Sequence, residues 1–367
     1  MTERNSPEKP HERPVDETTG KQFPGAPQSY QRMVWRRYRH SRLGILGLWL
    51  VALLGLVALT APLVANDHPL VCRYDGKLYF PALKEFFWSI PGGKQILPKS
   101  KPFNLVTFDF QRRMQPERGD WAVRTPIPYG PNRTSPHTLA SPTREHLLGT
   151  DEVGRDVLAR MFYGARVSML VGFVSVGIST IIGLIAGSLA GYFGGWLDIT
   201  VSRVIEVIIC FPVFFFILSV MAWFEPSIWN VMIVIGITRW VGPARYVRGE
   251  FIRLRETDFT VAAQALGASH ARIIFRHILP NALAPVFVTI TFGIASAILL
   301  EAGLSWLGFG VMPPQPSWGS ILRTAFDNIF TTTHLIYPPC IAIFLAVLSY
   351  NLVGDSLRDA IDPRLSQ

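Results

Sequence analysis

The sequence predicts an all-α membrane protein with six transmembrane helices, on three observations: uncharged runs long enough to span a bilayer, an apolar composition, and the placement of arginine. Residues 43–65, 167–197, 278–300 and 328–354 contain no Asp, Glu, Lys or Arg. Each exceeds the roughly 20 residues a helix needs to cross the hydrocarbon core. A fifth run, 204–224, is interrupted only by Glu206, and a sixth, 227–238, is short but continues past Arg239 to Ala244. Across 367 residues, 49% are hydrophobic and 17% charged, with 24 Phe and 10 Trp, a balance that does not suit an ordinary soluble domain.

Arginine sets the orientation. Arg32, Arg36, Arg37, Arg39 and Arg42 precede the first run without an acid among residues 28–42, which places the N-terminus in the cytoplasm under the positive-inside rule. Six crossings return the C-terminus to the same side. The loop holding Arg245, Arg248, Arg253, Arg255, Arg272 and Arg276 then falls inside as well. Residues 66–150 carry Lys and Arg yet fall outside, which is tolerated because translocated segments longer than about 60 residues largely escape the rule. The net charge of +9 is therefore topological, and no nucleic-acid motif accompanies it. The first run begins at residue 43 and lacks a small-residue cleavage site, so it is expected to stay as an anchor. Cys72, Cys210 and Cys340 form neither a disulfide framework nor a metal-ligand spacing.

The chain divides accordingly. Residues 1–29, rich in proline and mixed charge, are expected to be a disordered cytoplasmic tail. Residues 30–65 hold the first span behind a Trp/Tyr/Arg segment, which suits either a helix on the membrane surface or simple topogenic charge. Residues 66–150 read as an extracytoplasmic insertion between spans one and two, strand-like at 73–80 and turn-rich at 126–142. Asn132-Arg133-Thr134 fits a glycosylation triplet to which no role is assigned. Residues 151–356 form the core with spans two to six and a cytoplasmic loop at 245–280, and 357–367 a cytoplasmic tail.

Within that loop lies DFTVAAQALGASHARIIFRHILP, residues 258–280. Asp258 is a plausible N-cap; Phe259, Ala262, Ala263 and Leu266 recur at helical spacing; Gly267 supplies a left-handed stop. Ala262, Ala263 and Ala265 permit close backbone approach. A helix of two turns is too short to be stable alone and needs a partner surface or its chain neighbours. The segment is either a docking surface for a soluble partner or an ordinary connection between spans.

The segment resembles the cytoplasmic EAA loop of ABC importer permeases, on Ala262, Ala263, Gly267 and Ile278-Leu279-Pro280; Val261 stands where that triplet has Glu. A longer match is LLGTDEVGRDVLARMFYGARVSMLVG, residues 147–172, which resembles the stretch preceding span two in the dipeptide and oligopeptide branch of those permeases. Here Gly149 and Gly154 would make turns, and Asp156, Arg160 and Arg166 lie on a helix entering the span. GYFGGWLD at 191–198, PPQPSWGSIL at 313–322 and NLVGDSLRDAIDPR at 351–364 look like the same family, and RYDGKLYFP at 73–81 looks like its microcin C and oligopeptide subgroup. The resemblance implies the type I ABC importer permease fold in a bacterial inner membrane. It also implies partners: ABC ATPase subunits, a second homologous permease and an extracytoplasmic substrate-binding protein, with the lipid bilayer around them. Phe259, Ala262, Ala263, Ala265, Leu266 and Gly267 would form the ATPase-coupling helix.

Other positions carry open alternatives. Gly183, Gly187 and Gly191 repeat at four-residue spacing, which in lipid favours close helix packing over substrate contact. Glu301, deep in the fifth run, would line the translocation path, pair with an arginine of a partner permease, or serve as a structural carboxylate. Arg203 and Glu206 can pair at i,i+3, and Arg239 can snorkel to the cytoplasm. No P-loop, HExxH, GxSxG or CxxC occurs, so the chain is not expected to be an enzyme by itself, nor to hold a cofactor or metal. Peptide import is the implied activity. The rivals are a nickel or other non-peptide cargo, and an ion-coupled secondary transporter, which would need several mid-membrane acids and an inverted repeat.

Overall fold

The computed structural model describes residues 30–74, 77–88, 120–224 and 227–361. The expected disordered tail at 1–29, residues 89–119 of the insertion and the end of the C-terminal tail lie outside the described residues. The helices are α1 (Tyr30–Tyr38), α2 (Arg42–Val64), α3 (Pro81–Trp88), α4 (Val157–Phe193), α5 (Gly195–Ile209), α6 (Val213–Met221), α7 (Ile228–Thr238), α8 (Val241–Arg255) and α9 (Asp258–Ala265). They continue with α10 (His270–Leu307), α11 (Trp318–Asp327) and α12 (Tyr337–Ile361).

Helix α4 is the axis of the bundle, with α2, α7, α8 and α10 packed around it, and α12 lies against α2 and α10. The core between them is aliphatic, built on Met169, Val171, Ile217, Met232, Ile235, Ile294, Ile298 and Leu304, with Trp318 of α11 closing one end. Conversely Leu46, Trp49, Leu53 and Leu56 of α2 are exposed along one helical face. Such a surface is stable against lipid and untenable in water.

Among the described residues, four helices are long and apolar enough to cross a membrane: Arg42–Val64, Val157–Phe193, His270–Leu307 and Thr333–Ile361. The expected third span is the pair α5 and α6, bent by 81°, which makes a fifth crossing if the pair is one span. The break falls at Pro212, which has no N–H to give and pushes the residue before it out of the helical region. The expected fourth span is α7, whose 11 residues rise only about 16 Å before the helix stops at Arg239. An apolar run reports composition and not helical continuity, so helix length carries four or five crossings where the runs predicted six.

Part of residues 66–150, where the sequence predicts an insertion, is a small antiparallel sheet of order β2-β1-β3, with β1 Val71–Tyr74, β2 Lys77–Tyr79 and β3 Trp121–Val123. Cys72 pairs in register with Tyr79 and Ala122 and is fully buried. Burial, aided by the charge of Asp120, pushes its thiol up to about 11, so it is an inert packing residue. A bridge between Ala65 and Ile127 ties the sheet to the end of α2.

Candidate coupling and translocation sites

Helix α9 begins one residue earlier than its sequence suggests. Thr257 occupies the N-cap with extended backbone and no side-chain cap, and Asp258 is the first helical residue. The Thr257 hydroxyl is turned back to donate to the Leu254 carbonyl (2.6 Å), and the buried Thr260 donates to the same carbonyl (2.8 Å). These two threonines pin α9 onto the end of α8. At the other end Gly267 adopts φ +77°, and the bonds Ala268 N to Ala263 O and Gly267 N to Gln264 O complete a Schellman stop.

Around that anchor the expected coupling residues sort by face. Ala263 is buried in a cluster with Val247, Phe251, Leu254, Ile273 and Ile274. Phe259 (42% exposed) and Leu266 (88% exposed) stand outward, and Ala262, Ala265 and Gly267 are exposed with them. Val261 and Phe275 enlarge the same uncovered apolar surface. Beyond it, residues Ile273–Ile278 form a π-helical turn just before Pro280, which cannot supply an N–H to the carbonyl four residues back. Tyr192 Oη meets His270 Nδ1 at 2.8 Å, Arg255 donates to the Tyr192 carbonyl at 3.2 Å, and Arg248 forms a two-bond ion pair with Asp198. The loop is therefore held to the ends of α4 and α5 by polar contacts as well as by its core.

From there α8 runs back along α4 over the glycine stripe. A Cβ on Gly183 would meet Pro243 Cβ at 2.6 Å, on Gly187 the Ala244 carbonyl oxygen at 2.5 Å, and on Gly191 the Arg248 carbonyl oxygen at 2.7 Å. The stripe faces α8 and lets the two backbones touch. Helix α8 thus links the uncovered helix α9 to the axis of the bundle without an intervening layer of side chains.

Glu301 is fully buried between α4, α10 and α11. Its carboxylate accepts from Ser305 (2.6 Å) and Ser168 (3.1 Å); Ser168 in turn accepts from the Trp318 backbone N–H (3.2 Å), and Ser305 from that of Val311 (3.0 Å). It does not line the large cavity described below, and its surroundings are those of a structural carboxylate joining three helices. Glu301→Ala is expected to lower the thermal stability of the purified protein by about 1–3 kcal/mol, because the serines lose their acceptor, with Glu301→Gln milder. Differential scanning fluorimetry in detergent checks this.

The stretch at 147–160 builds a buried polar corner at the start of α4. Gly149 and Gly154 adopt φ +78° and +80°. Between them Asp151 accepts from Arg155 Nε (2.7 Å) and from the backbone of Val153 and Arg155, with Arg160 at 3.5 Å. Asp156 is the N-cap of α4 through Ala159 N, and its second oxygen meets His146 Nδ1 at 2.7 Å. Arg160 also donates to the Pro131 carbonyl, which ties the insertion to the span.

A cavity of about 680 Å³ opens between α4, α5, α7, α8 and α10. Its lining is mostly apolar, with Ser175, Ser179, Thr238, Thr289 and Ser296 and two cations, Arg239 and Arg358. Arg239 caps the end of α7 and donates to Ser296 of α10 (2.8 Å), so it reaches across the bundle where snorkelling toward the cytoplasm was expected. Arg203 and Glu206 pair at 2.6 Å on an exposed face. Sequence reading passed over the cavity because its walls run from Ser175 to Ile361, far apart in the chain.

Residues 183–367 match the protein family described as binding-protein-dependent transport system inner membrane component, and residues 29–75 match the N-terminal TM domain of oligopeptide transport permease C. The inner membrane ABC transporter permease protein YejE of Escherichia coli (strain K12) is 36% identical over 90% of this chain and 96% of its own length. The dipeptide transport system permease protein DppC of Alkalihalophilus pseudofirmus is 42% identical over 62% of this chain and 75% of its own. The glutathione transport system permease protein GsiD of Pectobacterium atrosepticum is 38% identical over 61% of this chain and 74% of its own length.

Proposed function

The chain belongs to the family of binding-protein-dependent transport system inner membrane components, and on that premise we propose that it is the permease subunit of an ATP-driven importer that carries peptides into the cytoplasm. The observation that carries the coupling is α9: an apolar helix left uncovered at Phe259 and Leu266, yet anchored by Thr257 and Thr260 to α8. A soluble ATPase subunit covers that surface. When the ATPase dimer closes on nucleotide, α9 moves as a rigid body, and α8, stacked directly on the glycine stripe of α4, carries the movement into the bundle. ATP binding then biases the spans between inward-facing and outward-facing packing.

Peptide cargo is supported by the dipeptide and glutathione permeases among the relatives. The remaining parts of the reading follow from the arginine pattern and the family: both termini in the cytoplasm, an extracytoplasmic insertion at 66–150, a binding protein that delivers substrate and a second homologous permease that completes the pathway. Ion-coupled transport has less support, because among the described residues no carboxylate lines the 680 Å³ cavity and Glu301 is bonded to serines.

Reconstitution of the complex from its native membrane tests the assignment. Peptide uptake into proteoliposomes is expected to require ATP and the binding protein, and to persist when ion gradients are collapsed. Uptake that runs without ATP and stops with a protonophore contradicts it, and uptake of nickel in place of peptide replaces the cargo.

A further inference from the structure

We infer that Arg239 is the group in the translocation cavity that receives a carboxylate of the passing substrate, foremost the C-terminal carboxylate of a peptide; this rests on the peptide-import reading above. Among the described residues, the lining of the 680 Å³ cavity contains two guanidinium groups, Arg239 and Arg358, and no Asp or Glu. Its electrostatic preference is therefore for an anionic group. The hydroxyls do not take over that role: Ser175 donates to the Met232 carbonyl, Ser179 to that of Val176, and Thr289 to that of Val286. With those hydrogens engaged by backbone, the guanidinium groups supply the strong donors.

Arg239 is the better placed of the two. Its side chain is half-buried in an apolar wall, where a charge-assisted bond is strong, whereas Arg358 is exposed. Its hydrogen bond to Ser296 is to a neutral hydroxyl, which leaves further guanidinium N–H groups for a bidentate carboxylate. Position adds a consequence. Arg239 sits at the break between α7 and α8, and α8 is the helix that carries α9. A carboxylate held there loads the joint that ATP-driven movement of α9 must turn, so release accompanies the conformational step.

The test uses the reconstituted complex and two tripeptides of one sequence, a free acid and its C-terminal amide, chosen so that the binding protein takes up both equally. Arg239→Gln keeps a donor for Ser296, and Arg239→Lys keeps the charge. Uptake of the free acid is expected to fall roughly tenfold or more in Arg239→Gln while the amide is unchanged, with Arg239→Lys intermediate. Copurification of the ATPase with each variant shows that the complex is assembled. Equal loss of both peptides, or no loss of either, overturns the carboxylate role and leaves peptide import standing. Absence of ATP-driven uptake of both peptides by the wild type overturns import itself and this site with it.

Discussion

Replacing Phe259 and Leu266 together with alanine is expected to cut ATP-driven uptake at least thirtyfold while leaving the amount of permease in the membrane unchanged. Leu266 is 88% exposed and Phe259 42%, so truncating them removes less from the fold than truncating buried residues would. Apolar and aromatic anchors at the centre of a docking surface are worth about 2–4 kcal/mol each on truncation, and 2 kcal/mol alone is roughly a thirtyfold change in affinity. Alanine is a strong helix former, so α9 itself is preserved. Uptake rate normalised to immunoblotted protein checks this. Ala263→Asp is the contrasting substitution: its carboxylate would be forced among Val247, Phe251 and Ile273, and the expected result is loss of folded protein rather than selective loss of coupling.

The second large effect belongs to the glycine stripe. Gly187→Leu is expected to destabilise the bundle by more than the 1–3 kcal/mol typical of overpacking. The first atom of the new side chain would meet the Ala244 carbonyl oxygen at 2.5 Å, Val247 Cβ at 2.8 Å and the Arg248 nitrogen at 3.0 Å. Two of those three belong to helix backbone and cannot rotate aside. Helix α8 must lift from α4, which lowers the melting temperature and uncouples transport although α9 keeps its surface. Gly177→Leu provides the control on the same helix, since nothing lies within 4 Å of its Cβ position. Thermal unfolding of the two purified variants separates a stripe-specific effect from a general cost of bulk on α4.

Much of this arrangement is legible in the amino-acid order, and the illegible parts have physical causes. The runs that became α2, α4, α10 and α12 declare themselves by length, and Gly267 declares the end of α9 because few other residues adopt φ +77°. The strand signal at 73–80 became the β1–β2 pair. The bend at Pro212 and the stop at Arg239 were visible as residue types but were overridden by the apolar run around them. Orientation within α9 was harder. The apolar face read from Phe259, Ala262, Ala263 and Leu266 included both alanines, and the packing of Thr260 on α8 shows that Ala263 is buried and Ala262 exposed. The surroundings of Glu301 were the least legible, since Ser168 is 133 residues away and reaches it only through the packing of α4 on α10.

The most direct measurement of the central claim is copurification from the native membrane, with the permease tagged and comparison made between the wild type and the Phe259→Ala, Leu266→Ala double variant. An ATPase subunit that elutes with the wild type and is depleted with the variant, at equal recovery of permease, is the predicted result. An ATPase retained equally by both would contradict the placement of the coupling surface on α9. No ATPase with either would contradict ATP-driven import.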